Sequence, residues 1–211
     1  MSARRAGVLD ITETIRDRIL SGDYPAGHHL RETAVANDLK VSRTPVREAL
    51  HRLAADGLVE LHPNRGARVA GWTDEEVEEI FGLRVLLEGY AARLAATRID
   101  AVTLAGLEEL AARMESTDET GDDAERDEIA ELNVAFHLLI LECAGNAQLT
   151  SFASSLARLL VHDAFQRFSE SAVRRSFSHH AELIAAFRVR DADWAEAVMR
   201  AHLLAGRREL A

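Results

Sequence analysis

Hydrophobic positions in the first third of the chain recur with a helical period and then change to a strand period. Val8, Ile11, Ile15 and Ile19, with Leu20 beside them, predict an amphipathic helix that stops at Ser21-Gly22-Asp23, behind a mobile arm at 2–7. After a Tyr24-Pro25-Ala26-Gly27 turn, a short helix over about 31–38 carries Ala34, Val35 and Leu39 inward. The next helix starts sharply, because Ser42 is a good N-cap and Pro45 lies in the first turn, where its missing N–H removes no intrahelical bond. Val46, Ala49, Leu50 and Leu53 form its buried stripe, and Gly57 sits where a left-handed residue usually ends a helix. Leu58-Val59-Glu60-Leu61 and Ala67-Arg68-Val69 are then short strand candidates, and His62-Pro63-Asn64-Arg65-Gly66 between them signals a hairpin. Three helices followed by a hairpin make a helix-turn-helix with a wing.

Beyond the Gly71-Trp72 joint there is no proline and no alternating run. Thr73-Asp74-Glu75-Glu76 predicts a capping box with acidic residues in the first turn of a new helix. Helices are expected over 73–97, 101–118, 123–143, 147–169, 171–189 and 192–209, broken at Asp100, Gly121, Gly145-Asn146 and Arg190-Asp191. Six such helices, rich in Ala and Leu, predict an antiparallel bundle. The expected fold is thus mainly α: an N-terminal winged helix-turn-helix over 1–71 with a small β-hairpin wing, and a C-terminal all-α bundle over 72–211.

Charge separates the two parts further. Residues 1–71 carry 11 Lys and Arg against 9 Asp and Glu, whereas 72–211 carry 14 against 26. The first part could sit on DNA, and the second would be repelled by it. Cys143 is the only cysteine, so no intrachain disulfide is possible and a reducing cytoplasm is expected. No apolar run approaches the roughly 18 residues needed to span a bilayer, and Arg4 and Arg5 are not followed by the apolar core of a signal peptide. The expectation is a soluble, cytoplasmic protein with no membrane partner.

Candidate chemistry concentrates on the third helix. Arg43, Thr44 and Arg47 lie away from its buried stripe near its N-terminus, where a recognition helix touches base edges. Arg can take a guanine bidentately, and Ser or Thr hydroxyls suit phosphate or base. Arg65 at the hairpin tip, with Gly66 allowing close backbone approach, suits phosphate or minor-groove contact, and Arg68 could add a backbone contact. The plainer alternative is a capped surface helix and a solvated basic turn.

Tyr24-Pro-x-Gly, Leu30-Arg-Glu, Leu39-x-Val-Ser-Arg-Thr-Pro-Val-Arg-Glu-Ala-Leu, Leu53-x-x-x-Gly57-Leu-Val and Asn64-Arg-Gly66-Ala-x-Val69 together resemble the N-terminal winged helix of GntR-family bacterial transcription regulators. The resemblance covers nearly all of residues 8–70. It implies operator contacts by Ser42, Arg43, Thr44 and Arg47, with Arg65 and Gly66 in the wing. Thr33 occupies a DNA-contacting position where relatives often carry Arg, and Arg31 two positions away does not replace it by default.

In the bundle, Asn133 and His137 are four apart and project from one helix face, while His180 and His202 each adjoin core-facing apolar residues on the last two helices. Three imidazoles and an amide oxygen could hold a divalent metal if the fold brings them together; spacing alone favours satisfied core histidines instead. Phe136-His137-Leu-x-x-x-Leu-x-x-x-Ala144-Gly-Asn146, His180-x-x-Leu-Ile-x-Ala-x-x-x-x-Asp191-x-x-x-Ala195 and Ala201-His202-Leu resemble the FCD effector domain of the FadR subgroup. That resemblance implies a divalent metal (zinc, nickel or manganese) held by Asn133, His137, His180 and His202. Relatives usually have a carboxylate at the Asn133 position, and the weaker amide ligand implies lower affinity or an empty site. Without that carboxylate the metal's charge would favour an anionic ligand, so the expected effector is a small organic acid. Arg84, in Leu83-Arg84-x-x-Leu-Glu88, matches a pocket-facing position in relatives and is the candidate carboxylate clamp; a surface Arg84–Glu88 pair is the alternative. His162 and His179 are weaker pocket candidates.

The function expected is a ligand-responsive regulator, most often a repressor in that family, acting as a homodimer on palindromic operator DNA. Two rivals remain open at this point. One is a metal-dependent hydrolase or isomerase with an accessory DNA-binding head, against which stands the absence of an obvious general base near His137 on its own helix. The other is a metal-free dimeric regulator.

Overall fold

The computed structural model describes residues 11–19, 23–55, 57–62, 65–71, 73–117, 123–158 and 168–210. The arm at 2–7, Ser21-Gly22, Pro63-Asn64, Gly121 and His162 lie outside the described residues. The chain divides into two compact units, Met1–Trp72 and Thr73–Ala211.

In the first unit, residues 11–19 are helical (α1), followed by β1 (His29–Leu30), α2 (Glu32–Asp38), α3 (Arg43–Ala55), β2 (Val59–His62) and β3 (Gly66–Val69). Ile11, Ile15, Val35, Val46, Leu50 and Leu53 close the core between the helices. The α2–α3 turn is made by Lys40, which takes a left-handed conformation (φ 54°). It is stabilised by the Lys40 N–H to the Asn37 carbonyl (3.3 Å) and the Val41 N–H to the Ala36 carbonyl (2.9 Å). The same device ends α3, with Gly57 at φ 75° and the Leu58 N–H reaching back 2.9 Å to the Leu53 carbonyl. Burial corrects one expectation: on α2, Val35 and Ala36 are buried and Ala34 is exposed. Ala34 and Ala36 flank Val35 by about 100° on opposite sides, and packing against α3 selects Ala36.

The sheet has one strand more than the expected hairpin. Its order is β1-β3-β2, all antiparallel, with His29 opposite Arg68 and Leu30 opposite Ala67. β1 is two residues long, too short for a period-2 pattern to show. Val59 pairs with Val69 and His62 with Gly66, and Leu30, Val59, Ala67 and Val69 form the buried face.

The second unit holds α4 (Asp74–Arg98), α5 (Ala101–Ser116), α6 (Asp123–Cys143), α7 (Ala147–Arg158), α8 (Glu170–Arg188) and α9 (Ala192–Leu210). Thr73 caps α4 through a reciprocal capping box with Glu76. Asp100 caps α5, and Ser169 caps α8. α4 packs along α9 and also touches α6, α7 and α8, which places it at the centre of the bundle. Its buried face runs through Phe81, Val85, Ala91, Ala92, Ala95 and Ala96, and Arg84 and Glu88 lie in that same apolar stripe. Among the described residues no helix is long and apolar enough to cross a membrane.

Candidate functional site

The DNA-contacting candidates of the first unit converge on one groove of about 920 Å³, lined by Thr33, Arg43, Arg47, Arg65 and Gly66 together with Arg31, Glu32, His29, His51 and His62. Ser42 and Thr44 are exposed at the start of α3 beside it. The N-terminal turns of α3, α2 and the wing therefore present their polar side chains to a common concavity, the shape that admits a duplex edge.

Arg43 and Arg47 are held by one carboxylate, Glu32. Arg47 donates from Nε to Glu32 Oε1 (2.7 Å) and from Nη2 to Oε2 (2.8 Å), and Arg43 Nη2 donates to Oε2 (3.2 Å). The hydrogen bonds from Arg47, and after them those from Arg43, hold the Glu32 carboxyl below the usual range against the opposing effect of burial. Glu32 is therefore ionised inside a groove otherwise lined by Arg31, Arg43, Arg47 and Arg65. It lies in the Leu30-Arg-Glu motif, but its role depends on α2 and α3 crossing, which no linear spacing displays. Arg68, a candidate for a DNA-backbone contact, donates from Nε to the Gly27 carbonyl (3.1 Å) and so ties the turn to the sheet. Gly66 has an internal reason to be glycine: at φ 90° a Cβ would stand 2.2 Å from the Leu30 carbonyl oxygen.

In the second unit, α6, α8 and α9 bring His137, His180 and His202 together, all buried, with ligand atoms within 4.8 Å of one another. His137 Nε2 lies 3.1 Å from His202 Nε2. Burial, reinforced by the neighbouring imidazoles, pushes His180 and His202 well below the ordinary imidazole range, so both are neutral and can offer lone pairs. Their accounts do not close internally. Both nitrogens of His180, Nδ1 of His202 and Oδ1 of Asn133 are buried with no hydrogen-bond partner among the described residues, a cost a folded core rarely carries. Convergent, neutral, unpartnered imidazole nitrogens with an orphaned amide oxygen one turn before His137 fit the donor set of a divalent cation.

Glu88 was missed by linear reasoning. From α4 its Oε2 meets His137 Nδ1 at 2.5 Å, while Arg84 Nε donates to its Oε1 at 2.7 Å. The Arg84–Glu88 pair expected as a surface alternative is thus inside the bundle, with side chains 4% and 2% exposed. Desolvation alone would raise the Glu88 carboxyl, but Arg84 and then His137 outweigh it and hold it at about 2. The sequence did contain a signal: Arg84 and Glu88 fall in phase with the apolar stripe of α4. A charged i,i+4 pair on a buried face needs a third partner.

Beside this cluster is a cavity of about 40 Å³ lined by Phe81, Arg84, Asn133, Phe168, Arg175, Ser176, His179 and His202, among others. Since a single water needs roughly 10–15 Å³ on this scale, it suits a ligand of a few heavy atoms. Arg175, at its rim, donates to Glu209 (2.8 Å). His179 lines the same cavity, and burial lowers its titration.

Comparison with known proteins agrees with both units. The family described as "Bacterial regulatory proteins, gntR family" matches residues 8–69, and the FCD domain matches 79–205. A probable D-xylose utilization operon transcriptional repressor from Paenarthrobacter nicotinovorans is 28% identical over 208 residues, 97% of this chain and 90% of that protein. The uncharacterized HTH-type transcriptional regulator YieP of Escherichia coli (strain K12) is 32% identical over 191 residues, 81% of each. The solved structure of E. coli McbR/YncC shares the fold with a TM-score of 0.83, covering 93% of each chain at 24% identity.

Proposed function

Because the chain belongs to the GntR family of bacterial regulatory proteins and carries an FCD domain, it is a DNA-binding transcription regulator rather than an enzyme, and we propose that it is a cytoplasmic, homodimeric repressor of a palindromic operator. Its effector would be a small carboxylate bound beside a divalent metal (zinc, nickel or manganese) in the bundle. The reading rests above all on the buried, unpartnered nitrogens of His180 and His202 next to a cavity that Arg84 and Asn133 also line. The repressor sense is supported by the Paenarthrobacter relative. Homodimerisation is supported by Leu83, Leu86 and Tyr90, which share one face of α4 and remain 50%, 60% and 47% exposed.

Within the bundle, His137, His180, His202 and the Asn133 oxygen would hold the ion, which when bound would supply positive charge and open coordination positions. Arg84 and Glu88 cancel each other, so that charge would be the main attraction for an anion. Arg84 spends its Nε on Glu88 and also faces the cavity, which leaves the outer edge of its guanidinium to orient a carboxylate. A ligand seated there touches residues of α4, α6, α8 and α9 at once. If it favours one packing of these helices, it biases how two DNA-binding heads are held.

The test is binding of the purified protein to its own upstream DNA, with a panel of small carboxylates and each metal added. Arg47→Ala should lower operator affinity by about tenfold or more, the discrimination of one bidentate base contact, with little change on random DNA. One carboxylate should weaken wild-type binding, and only in the presence of metal. Operator binding indifferent to every carboxylate and metal would reduce the bundle to a dimerisation module, the metal-free reading.

A further inference from the structure

We propose that Glu88 is the positioning residue of the three-histidine cluster, holding His137 with its Nδ1–H turned outward so that the Nε2 lone pair faces the space shared with His180 and His202. This deepens the metal reading above and rests on it. The carboxylate reaches the cluster from α4, whereas the three imidazoles come from α6, α8 and α9. Both its oxygens are committed, Oε2 to His137 and Oε1 to Arg84, so it cannot turn without breaking two buried hydrogen bonds. An ionised carboxylate only accepts. The hydrogen of a neutral His137 must then sit on Nδ1, which leaves a lone pair on Nε2, the atom that faces His202 at 3.1 Å.

Removing the carboxylate would free His137 to carry its hydrogen on Nε2, pointing a donor into the cluster and closing it to a cation. The outer partner of a ligating imidazole also raises the basicity of the ring. Here that effect has added weight, because Asn133 contributes an uncharged amide. With three imidazoles and an amide as donors, Glu88 is the carboxylate hydrogen-bonded to the cluster.

The test measures zinc affinity of the full-length protein by competition with a chromophoric chelator, and the His137 tautomer by ring 15N shifts in metal-free protein. Glu88→Gln is the first variant. Because it leaves Arg84 buried without its counter-charge, Glu88→Leu/Arg84→Met, which removes both charges and leaves no acceptor for the His137 Nδ1–H, is the second, with thermal melts to establish folding. Zinc affinity should fall roughly 10–100-fold in both variants, and His137 should lose its uniform Nδ1–H form. Adding Asn133→Asp should restore part of the lost affinity. Folded variants that bind zinc like wild type, with the His137 tautomer unchanged, would overturn the role of Glu88 and leave it a counter-ion for Arg84. Wild-type protein that takes up no zinc would instead overturn the metal reading, and this inference with it.

Discussion

Each unit of this regulator holds an arginine on a glutamate, and the two pairs differ in how much water they keep. Arg47 grips Glu32 with two parallel hydrogen bonds, yet the arginine side chain is 57% exposed. Arg84 holds Glu88 with a single hydrogen bond from Nε, and both partners are almost wholly buried. At the exposed pair, water and salt compete for both ions, so the partnership is weak and exchangeable. That would suit a side chain whose fork is held on one edge by the carboxylate and offered to a base on the other. At the buried pair, neither ion can leave without stranding the other in a medium that cannot solvate it. The one arrangement is a water-accessible grip that leaves much of the arginine open, and the other is part of the frame on which an imidazole is hung.

The strongest way to break this contrast is to delete the buried acid outright. Glu88→Ala removes the partner of Arg84 and of His137 Nδ1 together and opens a cavity in the stripe of α4. Unpairing one member of a buried ion pair typically costs about 3–5 kcal/mol, so denaturant unfolding should show the second unit destabilised by about that amount. An Ala variant within about 1 kcal/mol of wild type would mean that water reaches Arg84 and that the pair is not buried in solution; surface pairs are of that size.

Acid should sharpen the same contrast. His180 and His202 are held well below the usual 6.5, so the unfolded chain binds protons first. Their contribution is complete above about pH 6.5 and is lost as pH falls below it. Glu88, lowered from 4.5 to about 2, adds stability that is complete above about pH 4.5 and lost as pH falls towards 2. The thermal midpoint of the second unit should therefore hold steady above pH 7, drop between about pH 6.5 and 5, and drop again below 4.5. Zinc, which competes with protons for the same imidazoles, should raise the midpoint more at pH 7 than at pH 5. A midpoint that rises on acidification from 7 to 5 would contradict buried neutral histidines.

The same difference decides what the sequence could reveal. α3 was legible because its cap, its proline, its stripe from Val46 to Leu53 and the left-handed Gly57 are all local signals. The bundle helices were legible for the same reason, through Thr73, Asp100 and the break at Arg190-Asp191, where Arg190 adopts φ 57°. β1 was not legible, because its only claim to be a strand is the partner β3 supplies 37 to 39 residues later. The histidines could be nominated individually, but their convergence depends on three helices meeting. Glu88 and Glu32 went unassigned because each acts on a residue of another helix, 49 positions away for His137 and 15 for Arg47. Gly66 was nominated for DNA approach, whereas its contact with the Leu30 carbonyl depends on a strand pairing invisible in one dimension.

The smallest change in stability, and the finest test of the contrast, comes from the exposed pair. Glu32→Gln removes a negative charge from a groove lined by Arg31, Arg43, Arg47 and Arg65, while keeping an acceptor for Arg47. Melting should barely move, since exposed pairs contribute little. Binding should change in two opposed ways. Random-sequence DNA should bind more tightly, with its salt dependence steeper by about 0.9 in log–log slope, because one more arginine charge is available to phosphate. Operator affinity should gain less, since Arg47 loses the carboxylate that fixes the plane of its fork, and planar alignment is what a guanine edge rewards. The ratio of operator to random binding should consequently fall, measured by competition at two salt concentrations. If operator and random DNA instead gained equally, Glu32 would act only as a diffuse negative charge. If random DNA bound less well, the carboxylate would itself be supporting the backbone contacts, and the exchangeable grip inferred at Arg47 would be wrong.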